Sequence, residues 1–188
     1  PHNLHSHRTE ASLKAILDTQ PILATYPEAQ DLPTSFPTVS LVKGVTYVLV
    51  DLTKQPSLFA LVSAGPSPAI QLDDAWGPSF TGVMYYRCLE YHNKDGNKIR
   101  HLHVRMIAIN LEDPACGSGC CTLGAHIALQ LGEKRGRFRF HFFQGSEIGR
   151  DSDIFLDITL NEDGTEVTEI SLSGAAVHVS QGSIMLPE

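Results

Sequence analysis

The sequence is poor in several features that define whole classes of protein. It has four cysteines in 188 residues, two of them adjacent, a spacing that suits neither a disulfide framework nor a zinc site. Its 14 lysines and arginines are outnumbered by 21 acids, and the resulting net charge of −7 argues against binding to nucleic acid. It contains no apolar run near the roughly 20 residues that a membrane-spanning helix needs, and its first residues lack a signal-peptide core. We therefore expect a soluble, cytoplasmic protein in a reducing compartment.

The chain is long enough to bury a core, since 42% of its 188 residues are hydrophobic. It begins at Pro1 rather than Met, and we expect a fragment or processed piece of a longer protein. Residues 1–35 are irregular and rich in proline, which indicates an arm or an interdomain connection. Residues 36–188 are predicted to form one domain.

Most of that domain has the pattern of β-strands. Runs rich in β-branched and aromatic residues predict strands at 39–52, with a break at Lys43-Gly44, and at 82–88, 100–109, 137–143, 154–160, 167–172 and 176–179. Residues 93–97 and 161–164 are predicted hairpin turns, and residues 10–17 and 57–63 short helices. Residues 120–131 are apolar nearly all round, which is typical of a buried helix. We therefore predict an α+β fold in which a mostly antiparallel, barrel-like sheet wraps around one buried central helix.

The turn before that helix carries the residues most suited to chemistry. Glu112, Asp113, Cys116 and Ser118 crowd around two glycines, whose missing side chains let a ligand approach the backbone. Free N–H groups and the positive end of the helix dipole favour a carboxylate or a phosphate at such a position. The alternative is an ordinary capped helix, with Ser118 near the cap and Gly132 just past the C-terminus.

These residues also carry a resemblance. The stretch Glu112-Asp-Pro-Ala-Cys-Gly-Ser118 resembles the Glu-Asp-Pro-x-Thr-Gly-Ser signature of the phenazine-biosynthesis PhzF-like family. Residues 39–50 and 103–108 are similar to strands that precede the signature. Gln144-Gly-Ser-Glu-Ile-Gly-Arg-Asp-Ser152 resembles the family's Gln-Gly-x-x-x-Gly-Arg-Pro-Ser loop, and residues 176–182 its final strand. The pieces occur in the family's order over residues 36–185.

The resemblance implies a diaminopimelate-epimerase-like fold, in which two similar halves enclose the active site between them. This chain looks like the C-terminal half. The family's proton-transferring Glu and a His in a Cys-Gly-His motif belong to the N-terminal half and have no counterpart here. The implied partner is a second PhzF-like domain, or another copy of the chain in a homodimer.

The resemblance also implies roles for individual residues. Asp113 and Ser118 match the family's C-terminal site residues, whereas Cys116 departs from the usual Thr. Ala115-Cys-Gly-Ser-Gly119 instead reads like the motif of the related epimerases, in which the Cys moves the proton. We predict Asp113, Cys116 and Ser118 as catalytic residues, with neither a metal ion nor a cofactor. The predicted substrate-binding residues are Glu112, Gly117, Gly119, Gln144, Gly145 and Arg150.

The implied function is that of a cofactor-free isomerase-like enzyme that moves a proton on a small anionic or polarised metabolite. A thiol at a helix start suits that reaction because the dipole favours its thiolate. Two alternatives remain: a biosynthetic cyclase that uses the same cleft, and a non-catalytic binding or interaction domain that retains the fold. In the second case Cys116 is an inert packed thiol and Asp113 a capping carboxylate.

His101 and His103 share a strand face, but a pair without a third ligand is a weak metal site.

Overall fold

A computed structural model of the protein describes residues 4–94 and 97–185. Three α-helices lie among them, together with short 3-10 turns at Leu23–Thr25, Pro27–Asp31 and Ser146–Ile148. The helices are α1 (Leu13–Thr19), α2 (Pro56–Leu61) and α3 (Gly117–Leu131). The strands are β1 (His5–Ser6), β2 (Ala11–Ser12), β3 (Ser35–Phe36), β4 (Thr38–Val42), β5 (Val45–Asp51), β6 (Phe80–Lys94), β7 (Asn97–Ala108), β8 (Leu111–Asp113), β9 (Arg137–Gln144), β10 (Ser152–Leu160) and β11 (Val167–Gly174).

The main sheet is mixed and curled. Its strand order is β1-β4-β5-β6-β7-β9-β10-β11, and β8 pairs with β7. The pairs β5–β6 and β7–β9 are parallel, because the segments that carry α2 and α3 cross over from one strand to the next. The predicted α+β fold is therefore confirmed, with a curled, mixed sheet. The mostly antiparallel character of the sheet and the central position of the helix stay predictions.

Each face of the sheet has its own core. Because successive strand residues point to opposite faces, Tyr47 and Leu49 join one core while Val48 and Val50 join the other. The first core contains the buried residues of α3. The helix packs closely on β10 at Gly124, where an added Cβ would lie 2.4 Å from a Leu156 methyl carbon. The small residues of this helix thus allow close backbone packing on the strand.

The second core receives the beginning of the chain. Ile16 on α1 and Leu23 and Leu32 in the following turns are buried there with residues of α2. Ser12 caps α1 by accepting a hydrogen bond from the N–H of Ala15 at 3.2 Å. Residues 11–36 thus cover one face of the sheet, and the domain boundary at residue 36 stays a prediction.

The strand predicted at residues 176–179 is wrong. Residues 175–185 form no secondary structure, and the side chains of Val177 and Val179 are 85% and 90% exposed. Alternating valines favour a strand, but a strand forms only where another supplies its hydrogen bonds, and the described part of the chain offers none there. The other six strand regions are confirmed, the first as the pair β4 and β5.

The turn predicted at 93–97 falls partly outside the described residues. None of the described helices is long and apolar enough to span a bilayer.

Candidate active site

The predicted site lies where the chain leaves β8 and enters α3. The Asp113 carboxylate accepts a hydrogen bond from the N–H of Ala115 at 2.9 Å, which turns the chain out of the strand. Cys116 is the N-cap residue, and its carbonyl oxygen accepts the helical hydrogen bond from the N–H of Cys120 at 3.0 Å. The signature residues are therefore held at the start of the 15-residue helix.

Three side chains meet at this helix start. The hydroxyl of Tyr47 lies 3.3 Å from Sγ of Cys116 and 2.7 Å from Oγ of Ser118. Sγ and Oγ are themselves 3.8 Å apart. Tyr47 and Cys116 are buried, with 2% and 5% exposure, whereas Ser118 is exposed. The cluster thus reaches from the core to the surface.

Gln144 fixes the backbone around this cluster. Its Oε1 accepts a hydrogen bond from the N–H of Cys116 at 3.0 Å, and its Nε2 donates to the carbonyl oxygen of Asp113 at 2.6 Å. The next residue, Gly145, has a φ of +83°, and a Cβ there would lie 2.2 Å from the carbonyl oxygen of Arg150. Gln144 therefore ties the end of β8 to the start of α3, although substrate binding was predicted for it.

Glu112 is held in a buried ion pair. Its two carboxylate oxygens accept hydrogen bonds from Nε and Nη2 of Arg105 at 2.8 and 2.6 Å, and the side chains are 4% and 5% exposed. Nη1 of Arg105 donates to the carbonyl oxygen of Phe59 at 3.1 Å, near the end of α2. This carboxylate, which was predicted to bind substrate, is thus bound by a side chain of the protein itself.

Burial controls the acidity of the cluster. Burial raises the pKa of the Cys116 thiol, although Tyr47, the N–H of Gly119 and Ser118 donate hydrogen bonds that oppose the increase. Burial also raises the pKa of Tyr47 and that of Cys120, and it brings the pKa of Cys121 to about 11. The expectation that the helix start favours the thiolate is outweighed here, because removing the thiol from water favours its neutral form.

A cavity of about 410 Å³ lies beside the helix start. Ala115 and Gly117 line it together with residues 151–154 and 172–175, from the start of β10 and the end of β11. A Cβ on Gly117 would lie 2.7 Å from Cδ2 of Leu172, so a side chain at this position would require the Leu172 methyl group to move. Residues 150 and 151 are exposed and precede β10 directly. The cavity thus brings Gly117 to the polar segment that follows Arg150.

Sequence reasoning did not find Tyr47 or the acids Asp151 and Asp153 that line the cavity. Tyr47 is 69 positions from Cys116, and the alternation of β5 assigns it to a sheet face without revealing what that face contacts. Asp153 lies on β10, just before the strand predicted at residues 154–160, and no role was predicted for it.

A second polar cluster joins His5, His7 and Asp73, whose ligand atoms lie within 4.8 Å of one another. Nδ1 of His7 accepts a hydrogen bond from the N–H of Asp73 at 3.1 Å, and Nε2 bonds Oγ of Ser40 at 2.9 Å. Both ring nitrogens of His7 are therefore used within the protein, and the cluster fastens β1 to the loop before β6.

The two histidines considered as a metal pair have separate partners. Nδ1 of His101 lies 3.2 Å from Nδ1 of His141, and Nε2 of His103 lies 3.1 Å from Oε1 of Glu147. The structure thus gives no support to a metal site shared by His101 and His103.

Comparisons with known proteins bear on the same region. The family model described as phenazine biosynthesis-like protein, PhzC-PhzF, matches residues 17–182, which include the whole helix start. The chain belongs to this family. This confirms the PhzF-like family that the signature around Cys116 indicated. A search of curated proteins found no match.

A solved structure resembles the fold of this family member. It is the crystal structure of the Bacillus anthracis phenazine biosynthesis protein, PhzF family, with a TM-score of 0.57 and 18% sequence identity. The match covers 95% of this chain and 56% of that protein. At this identity the likeness concerns the fold alone, and the chain spans little more than half the length of that protein.

Proposed function

We propose that this chain supplies the C-terminal half of the active site of an isomerase-like, cofactor-free enzyme. The enzyme moves a proton on a carbon beside a carboxylate or another electron-withdrawing group of a small metabolite. The observation that carries the proposal is the cluster of Cys116, Tyr47 and Ser118 at the start of α3. Ala115 and Gly117, the neighbours of Cys116 in sequence, line the cavity. Family membership supports a biosynthetic, isomerase-type enzyme.

The helix start suits one part of such a substrate. The positive end of the α3 dipole at Gly117, Ser118 and Gly119 favours a carboxylate and stabilises negative charge that develops beside it. Asp151 and Asp153 line the same cavity and suit a cationic group. Together they favour a zwitterion, such as an α-amino acid, over a metabolite that carries only negative charge.

The acidity of Cys116 indicates its role. Because burial raises the pKa of the thiol, the group is protonated near neutral pH and is suited to give a proton to a carbanion. The base that removes the first proton then comes from a second domain. Asp113, whose carboxylate accepts a hydrogen bond from Ala115, orients the substrate in this scheme and is the alternative acid.

A second domain or a second copy of the chain completes the site. The chain spans 56% of the similar solved protein. The side chains of Ile109, in the turn before β8, and Leu111, the first residue of β8, are each 61% exposed, and Leu172 at the cavity is also exposed. These apolar side chains offer a contact surface next to the site.

The test is solvent-deuterium exchange. The purified protein, together with the second domain or second copy that supplies the base, is incubated in D2O with a mixture of L-amino acids, and the loss of α-proton signals is followed by NMR. We expect exchange that Cys116→Ser reduces strongly, because a serine hydroxyl is a far weaker acid. Cys88→Ser, which changes the exposed thiol on β6, is the matched control and should exchange as the unchanged protein does.

The pattern of effects separates the alternatives. If Asp113→Asn is the more damaging change and Cys116→Ser is nearly silent, the carboxylate moves the proton. The isomerase proposal is contradicted if an amino acid binds but does not exchange its α-proton, and if neither Cys116→Ser nor Asp113→Asn changes binding. That result favours a cyclase or a binding domain.

A further inference from the structure

Tyr47 connects a buried acid to an exposed hydroxyl. Its Oη lies within hydrogen-bond distance of Sγ of Cys116 and of Oγ of Ser118, at 3.3 and 2.7 Å. Cys116 is buried and Ser118 is exposed, so the three groups form a path from the core to the surface. The direct separation of Sγ and Oγ, 3.8 Å, is longer than either step through Tyr47.

A phenol carries one proton, so Tyr47 can donate a hydrogen bond to only one of its two partners at a time. When Cys116 is a thiol, its S–H donates to Oη, and the Tyr47 O–H donates to Ser118. The Ser118 proton is then free to donate into the cleft. When Cys116 is a thiolate, Tyr47 donates to Sγ instead, and Ser118 donates to Oη. Ser118 can then only accept hydrogen bonds from a ligand.

We propose that Tyr47 is a positioning residue that couples the protonation state of Cys116 to the donor or acceptor role of Ser118. The same chain of hydrogen bonds carries a proton between the thiol and the surface. A water or substrate acid gives a proton to Oγ, the former Oγ proton moves to Oη, and the former Oη proton forms the S–H bond. Tyr47 and Ser118 each end with one proton, as they began, so the net result is that the Cys116 thiolate gains a proton and the water or substrate acid loses one.

The packing around Tyr47 suits this role. An added Cβ on Gly82 of β6 would lie 3.1 Å from Cε1 of Tyr47, so the absence of a side chain there makes room for the ring. Burial raises the pKa of Tyr47, and the phenol therefore stays neutral while its proton is exchanged. The ring is thus held in one place and its hydroxyl can turn between two partners.

Among the other ionisable groups that face the thiol, Asp113 before the helix opposes its negative charge. The Cys116 thiolate in turn opposes ionisation of Cys120 and Cys121 within the helix. Gln144, on β9, contributes a neutral amide. Among these side chains, the hydroxyls of Tyr47 and Ser118 are the ones whose hydrogen bonds favour the thiolate. The pH dependence of Cys116 should therefore respond to Tyr47.

The coupling is a property of this chain, whereas its use in catalysis rests on the proposed function. It is tested without substrate in a Cys88→Ser background, by alkylation of Cys116 with iodoacetamide from pH 7 to 11. The modified site is identified by tandem mass spectrometry. Tyr47→Phe removes a hydrogen bond to a charged sulfur, and we expect the midpoint to rise by about one pH unit. Below the midpoint the rate then falls about tenfold.

Tyr85→Phe is the matched control, because it removes a buried phenol hydroxyl from the other core. It should leave the midpoint unchanged. Ser118→Ala should shift the midpoint when Tyr47 is present and should shift it less in the Tyr47→Phe background, where only the direct contact between Ser118 and Sγ at 3.8 Å remains. Replacement of the tyrosines by 3-fluorotyrosine, a stronger acid, preserves the ring and should lower the midpoint, except in the Tyr47→Phe background.

An unchanged midpoint in Tyr47→Phe overturns the proposal. So does an equal shift in Tyr85→Phe, which would mean that any lost core hydroxyl exposes the thiol. A Ser118→Ala effect that persists in full without the Tyr47 hydroxyl overturns the coupling. Because alkylation needs no substrate, these outcomes are independent of the deuterium experiment, and either proposal can fail while the other stands.

Discussion

The ion pair between Glu112 and Arg105 allows a quantitative test of how the signature is supported. Glu112→Gln preserves the size of the side chain and removes its charge, which leaves a buried guanidinium opposite a neutral amide. Breaking a buried pair from one side costs about 3–5 kcal/mol. Glu147, whose Oε2 lies 4.0 Å from Nε of Arg105, and the carbonyl oxygen of Phe59 still compensate part of the charge. We therefore expect a loss of about 3 kcal/mol in the free energy of unfolding.

Urea denaturation measures this loss. With a slope of about 2 kcal/mol per molar urea, the midpoint should fall by about 1.5 M. The matched control is Asp157→Asn, because Asp157 accepts two hydrogen bonds from Arg139 at 2.7 and 3.0 Å in the same bidentate manner but is half exposed. That change should cost about 0–1 kcal/mol, since water screens the exposed pair.

The two roles considered for Glu112 give opposite results. If Glu112 mainly binds substrate, Glu112→Gln weakens ligand binding and leaves stability close to that of the unchanged protein. A loss of stability no greater than that of Asp157→Asn would refute the structural role.

Three further predictions concern packing and pH. Gly119→Ala places a Cβ 2.5 Å from Sδ of buried Met84, so urea denaturation should show a loss of about 1–3 kcal/mol, while Gly182→Ala, with open space around it, should show almost none. Burial raises the pKa of Cys121 from 9.0 to about 11. The contribution of the neutral thiol to stability is therefore fully present below pH 9 and is lost between pH 9 and 11. Cys121→Ala should reduce this loss of stability, as measured by thermal melts. Burial, reinforced by the charge of His5, lowers the pKa of His7 below 6.5, so the neutral ring stabilises the fold above that pH and this contribution is lost on acidification. The melting temperature of His7→Gln should therefore depend less on pH between 7 and 5 than that of the unchanged protein. An unchanged dependence would contradict the assignment.

The local sequence determined the elements that carry the site. The alternation of residues 39–52 with a break at Lys43-Gly44 predicted β4 and β5, and Gly44 in the turn has a φ of +87°. The apolar run from Cys120 and the glycines before it predicted α3, its polar start and the position of Cys116. These features depend on neighbouring residues, so periodicity and turn chemistry suffice to predict them.

The tertiary structure decided which groups meet, because distant contacts leave no mark in local periodicity. The strand pattern could not show that Tyr47 reaches Cys116, that Arg105 binds Glu112, or that Gln144 bonds the backbone on both sides of the turn. The acidity of Cys116 was decided in the same way. A helix start by itself favours a thiolate, but the folded chain buries the sulfur, and the cost of removing that charge from water outweighs the hydrogen bonds that favour it.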